Sequence, residues 1–180
     1  ASPFEASFTV PTIFPVFAPI RNVWFNNKNN MIEKVVKRLN LVYYLFYIAA
    51  LLVAAGGYQL YRSGASIDPA SQAGIAVNSV LIIYIIGSIP IALSLFNKKT
   101  KSWAELPSLK EKLALYEKGA TIRILVIGSG FILGVLFFFL MNSQSMIFSA
   151  GIAAIGLFFC KPAEVKIISE LKIEDPEQND

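Results

Sequence analysis

Residues 124–141 read ILVIGSGFILGVLFFFLM, a run without a single charged side chain. A helix that crosses the roughly 30 Å hydrocarbon core of a bilayer needs about 20 mainly apolar residues, and this run meets that length when it is taken from Thr121. Working outward, Asn142-Ser-Gln-Ser145 is a polar connector short enough to be a tight turn, and a further apolar run, Met146–Cys160, follows it. Two spans so joined form an antiparallel hairpin. Upstream, Ile75–Phe96 and Leu41–Tyr61 have the same uncharged character. The sequence therefore predicts an all-α membrane protein, a four-transmembrane-helix antiparallel bundle with spans at about 41–62, 75–96, 121–141 and 146–161.

Composition points the same way. The 180 residues are 55% hydrophobic and 16% charged, whereas soluble domains hold about 25% charged residues; the mean hydropathy is +0.57. Four spans and their connections consume most of the chain and leave no room for a separate soluble catalytic domain. There is no histidine and one cysteine, Cys160. That removes the commonest general base, metal ligand and haem ligand, and any intramolecular disulfide. No cofactor and no metal are expected. The formal charge of +4, from 16 basic and 12 acidic residues, reads as interfacial lysine and arginine beside spans rather than as a nucleic-acid footprint, because no basic–aromatic groove pattern accompanies it.

The flanks divide the chain further. Residues 1–30 form a Pro- and aromatic-rich extension, expected to be irregular because Pro3, Pro11, Pro15 and Pro19 each remove an N–H donor. It is either a segment foreign to the native protein, which would then start at Met31, or an interfacial segment in which Trp24 and the phenylalanines meet headgroups. Residues 31–162 are the transmembrane domain, entered through the amphipathic lead-in Met31–Asn40. Residues 163–180 are a charged tail whose acidic end, from Glu174, is expected to be disordered.

Between spans two and three, Asn97–Ala120 is the one long hydrophilic stretch. Ser102–Glu105 and Ser108–Glu111 have capping-box spacing, and Leu109, Leu113 and Tyr116 recur at helical intervals. A cytoplasmic amphipathic helix between spans two and three is predicted, lying on the membrane surface or against a partner. Lysine and arginine set the orientation. Lys34, Lys37, Arg38, Lys98, Lys99, Lys101, Lys110, Lys112, Lys118, Arg123, Lys161, Lys166 and Lys172 fall on one side and only Arg62 on the other. The positive-inside rule then puts both termini and the central stretch in the cytoplasm, with a bacterial inner membrane as the expected location.

No ionisable residue lies at the centre of a span, which argues against a proton relay or voltage sensor within one subunit. Arg123 is the least ordinary edge charge. It is expected to snorkel to the interface, with a lipid-headgroup phosphate or a substrate carboxylate as the functional alternative. Gln59, Asn78 and Ser79 are expected to make an interhelical hydrogen bond between spans one and two, or else to line a small polar pocket. Pro90 should kink span two, with nearby serine hydroxyls or a neighbouring helix satisfying the freed carbonyl. Gly130 and Gly134 make a GxxxG pair, and Ala50 with Ala54 and Ser149 with Ala153 are small-xxx-small pairs. They are expected to pack helices within the bundle, homodimerisation being the alternative. Cys160 reads as an inert apolar residue at a helix end.

These features name no substrate. The expected function is a non-enzymatic scaffold or accessory subunit of a membrane complex, partnered by the lipid bilayer and by another membrane protein or by copies of itself. The alternative is a small oligomeric transporter or channel subunit. A lipid-modifying enzyme is a third reading, for which Glu105, Glu111 and Tyr116 are the available interfacial groups.

Overall fold

The computed structural model describes residues 18–64 and 66–173. These residues form five helices and no strand: α1 (Ala18–Arg62), α2 (Gln72–Ala104), α3 (Leu109–Met141), α4 (Gln144–Phe159) and α5 (Glu164–Glu170). The expectations for Pro3, Pro11 and Pro15, for the side chains of Trp24 and Phe25, and for the acidic end beyond Ile173 lie outside what is described.

Helix α1 starts inside the stretch expected to be irregular. Pro19 falls in its first turn, where the missing N–H would have no intrahelical partner anyway. No other proline follows before Arg62, so the lead-in and the first apolar run are one continuous helix. It stops at Ser63, whose Oγ donates to the Leu60 carbonyl at 2.7 Å, and at Gly64, whose φ of +81° suits glycine. Asp68–Pro69 makes the expected turn: Asp68 Oδ1 accepts from Ala70 N at 2.9 Å. Ser71 then caps α2 by accepting from Gly74 N at 3.0 Å.

Two corrections concern the stretch between the second and third apolar runs. Helix α2 continues through Ser102 to Ala104, so the first capping box is not a helix start. The reason is that residues 97–104 contain neither Gly nor Pro; the first breaker is Pro107, which disfavours helix at Leu106. Second, the amphipathic segment beginning at Leu109 is not a separate helix. It runs without a break into the apolar run as α3. Lys112 Nζ secures the corner by donating to the Ala104 carbonyl at 2.7 Å.

At its other end α3 closes with Asn142 in the left-handed conformation, φ 47°. The orphan Leu140 carbonyl accepts from Ile67 N of the α1–α2 loop at 2.8 Å. Helix α4 ends at Phe159, shortly before Pro162. Three helices are long and apolar enough to cross a membrane: α1 from Asn27, α2 and α3. Helices α4 and α5 pass the same test only as a pair, bent by 75° at their break. The chain thus has the character of a multi-pass membrane protein.

Helix α3 is the hub. Its backbone packs on α1, α2 and α4; α2 also packs on α4, and α5 on α1 and α2, while among the described residues no close backbone approach joins α1 to α2. The buried core reaches to where the charged ends of the helices gather. Ile32, Val35 and Leu39 of α1, Leu113 and Tyr116 of α3, Phe96 of α2, Ile167 of α5 and Leu171 just beyond it form one buried cluster. Each fully buried leucine or isoleucine contributes about 1.5–3 kcal/mol, so the tail is held to the body. By contrast Leu41, Leu45, Leu51 and Leu52 on α1 are exposed, Leu51 at 71%, the outward face expected of a helix solvated by lipid.

Candidate functional site

Helices α2 and α3 enclose a groove of about 860 Å³, within the roughly 300–1,000 Å³ of small-molecule sites. Its walls are apolar for most of their length: Ile83, Ile91 and Leu95 from α2, Ile122 and Val126 from α3. Tyr84 bounds one end. Its Oη lies 2.9 Å from Ser129 Oγ, a polar closure between two spans. Fifteen positions further along α2, about 22 Å at the helical rise, the groove reaches Lys99, Ser102 and Trp103, with Lys118 and Arg123 opposite on α3. None of its lining side chains is acidic.

Arg123 is the centre of the basic end, and it does not snorkel. It is 6% exposed, and its guanidinium carbon lies 3.8 Å from the centroid of the Phe96 ring. Phe96 is held in turn by edge-on contacts with Trp103, centroids 6.0 Å apart, and Tyr116, 5.3 Å apart. A desolvated cation over an aromatic face gains about 2 kcal/mol, which explains why the side chain folds onto the ring instead of extending along the helix. The Arg123 Nε is buried and has no hydrogen-bond partner among the described residues. A buried donor without an acceptor costs about 1–3 kcal/mol.

Tyr116 Oη donates to Glu170 Oε2 of α5 at 2.6 Å, so Tyr116 and its partner are structural neighbours of the groove's basic end. Glu105 and Glu111, the other two interfacial candidates, are exposed. Cys160 is fully buried. Arg38 of α1 approaches Glu117 of α3 at 3.4 Å, on the surface, where such pairs contribute about 0–1 kcal/mol. Among the described residues there is no group of three or more His, Cys, Asp or Glu side chains placed to hold a metal ion.

The remaining candidates are dispersed. A Cβ on Gly134 would lie 2.9–3.2 Å from Ala150 of α4, and one on Gly130 would lie 3.5 Å from Ile85 of α2. The two halves of the GxxxG pair therefore face different helices. Ala50, Ser149 and Ala153 are buried and Ala54 is half-buried. Among the described residues the interhelical hydrogen bond expected of Gln59, Asn78 and Ser79 is not formed, and the backbones of α1 and α2 do not approach each other closely. Gln59 is exposed, Ser79 Oγ donates to its own helix at the Ile75 carbonyl, 2.9 Å away, and Asn78 Oδ1 is buried without a partner among the described residues. Pro90 sits within α2, which continues past it. It frees the Ile86 carbonyl, while the nearby Ser88 Oγ donates to the Ile85 carbonyl at 3.1 Å, so that serine does not serve the freed group.

Sequence reasoning missed Phe96, Lys99, Trp103 and Lys118 as parts of one site. They belong with Arg123 only through the α2–α3 register, which no local pattern encodes. Tyr84 did carry a signal, since a tyrosine hydroxyl within an apolar run needs a partner. Comparison with protein-family models, curated proteins and solved structures gives no match to this chain.

Proposed function

We propose that the chain is a non-enzymatic scaffold or accessory subunit of a membrane complex, built as a four-span antiparallel bundle in a bacterial inner membrane with both termini and the α2–α3 corner in the cytoplasm. The observation that carries the reading is that the buried core continues beyond the apolar runs. There α1, α2 and α3 continue past their uncharged stretches and pack with α5 around Ile32, Leu39, Phe96, Leu113 and Ile167. This makes a rigid platform, and its outer side chains, among them Lys98, Lys101, Lys110 and Glu111, are exposed. A firm charged surface beside the membrane suits a protein whose role is to be docked upon. Helix α4 has 16 residues, about 24 Å of helix, which spans a bilayer with slight local thinning.

Gentle detergent extraction of the natively expressed protein, followed by native electrophoresis and identification of what comigrates, tests this. A stable complex with other membrane proteins is expected, weakened by Lys98→Glu with Lys101→Glu. A homo-oligomer free of partners that carries solute flux in vesicles would replace the reading with the pore alternative, which draws on Gly87 and Ser88 lining the groove beside Pro90.

A further inference from the structure

We propose that the α2–α3 groove binds one anionic phospholipid, its phosphate held between Lys99, Lys118 and Arg123 and an acyl chain lying along Ile91, Leu95 and Ile122. The site follows from the groove and its charges and goes beyond the scaffold reading, needing only that α2 and α3 cross a membrane.

Three features of the groove select this ligand. Its long part is apolar, and all the formal charge on its walls is positive and gathered at one end. That is the shape of an amphiphile with an anionic head, and it wastes most of its length on a free phosphate or a small carboxylate. The charged end also lies where the uncharged run of α2 gives way to Lys98 and Lys99, the depth at which phosphates sit. Trp103 stands beside it, an indole at the level where such rings favour headgroups. Finally, Arg123 is more than nine-tenths buried, lines the groove, and keeps an Nε donor without a partner among the described residues. Phe96 fixes the plane of the guanidinium, so this donor is pre-oriented. A phosphate oxygen supplies the acceptor it lacks. Basic pockets between spanning helices on the cytoplasmic side recognise acidic headgroups by this combination of charge and apolar walls.

The test is native mass spectrometry of the full chain released from micelles containing equal amounts of phosphatidylglycerol and phosphatidylcholine with the same acyl chains. Wild type is expected to retain one phosphatidylglycerol in preference to phosphatidylcholine. Lys99→Gln with Lys118→Gln changes two exposed residues and leaves the core intact; it should weaken phosphatidylglycerol retention about thirtyfold, the loss of two juxtamembrane charges, and leave phosphatidylcholine unchanged. Ser88→Trp, which fills the apolar part, should abolish retention of the lipid. Equal retention of the two lipids, a preference that survives the double variant, retention by the filled groove, or displacement of the lipid by millimolar inorganic phosphate would each overturn the proposal.

Discussion

Tyr116 on α3 donates a 2.6 Å hydrogen bond to Glu170 on α5, joining two residues 54 positions apart in the chain. No backbone-level packing joins those two helices, since α5 rests on α1 and α2. The phenol therefore reaches from the hub helix to the tail, with its ring buried against Phe96. Cys160, which caps α4 just before α5 begins, is shut off from solvent in the same core.

This arrangement makes the single cysteine a reporter of the tail. Tyr116→Phe keeps the ring and removes the bond. A hydrogen bond to a charged acceptor is worth about 1.5–3 kcal/mol, so α5 should open about ten to a hundred times more often. The alkylation rate of Cys160 by a small maleimide, followed by mass spectrometry, should rise by that factor. An unchanged rate would mean that Ile167 and Leu171 hold α5 without the tyrosine.

The two glycines of the GxxxG pair should respond oppositely to alanine. At Gly134 the new methyl meets Ala150, and two of the three nearest atoms belong to backbone, so α4 must move. Overpacking of this kind costs about 1–3 kcal/mol, read as a lower unfolding midpoint in detergent. At Gly130 the nearest atom is 3.5 Å away on the Ile85 side chain, an ordinary contact. There the better helix propensity of alanine should leave stability unchanged or raise it by up to about 1 kcal/mol. Equal losses at both sites, reversed by dilution, would point to a dimer interface.

How far the sequence led is clear from these residues. The uncharged runs at 41–61, 75–96 and 124–141 locate the long helices, because the cost of burying charge in hydrocarbon leaves a signal in every window. Helix ends were legible where a breaker acts, as at Asp68–Pro69, and misread where a capping pattern stood alone, as at Ser102. Capping chemistry favours a start but cannot stop a helix that has no reason to end. The partners of Gly134, Arg123 and Tyr116 were not legible. Each depends on which helix lies opposite, and the central place of α3 follows from all the faces together. Gln59, Asn78 and Ser79 show the same point from the other side: they share a depth, yet the backbones of their helices do not approach each other closely.

The contact between Arg123 and Phe96 should appear as a coupling energy. Phe96→Leu removes the aromatic face, and Arg123→Gln removes the charge. If the ring stabilises the buried cation, the double variant should be less damaged than the sum of the single ones by about 1–2 kcal/mol in thermal unfolding. Arg123→Lys should recover little of it, since an ammonium cannot stack its plane on the ring. Additive effects would mean that the guanidinium draws its stabilisation from elsewhere.

The number of crossings can be settled by where single cysteines react, in a Cys160→Ala background. Ser66 in the α1–α2 loop and Glu105 at the α2–α3 corner are both exposed and flank α2. Ser66→Cys should label from outside intact cells, and Glu105→Cys only after permeabilisation, as the distribution of lysine and arginine requires. The informative sites flank α4. Gln144 follows the end of α3 that bonds the Ser66 loop through Ile67 and Leu140, so Gln144→Cys should behave like Ser66→Cys. Lys172 follows α5, which is fastened to Tyr116 near the α2–α3 corner, so Lys172→Cys should behave like Glu105→Cys. Labelling of both from outside would leave only three crossings and would force α5 away from Tyr116. Because that separation exposes Ile167 and Leu171, each now fully buried, the short α4 is expected to cross.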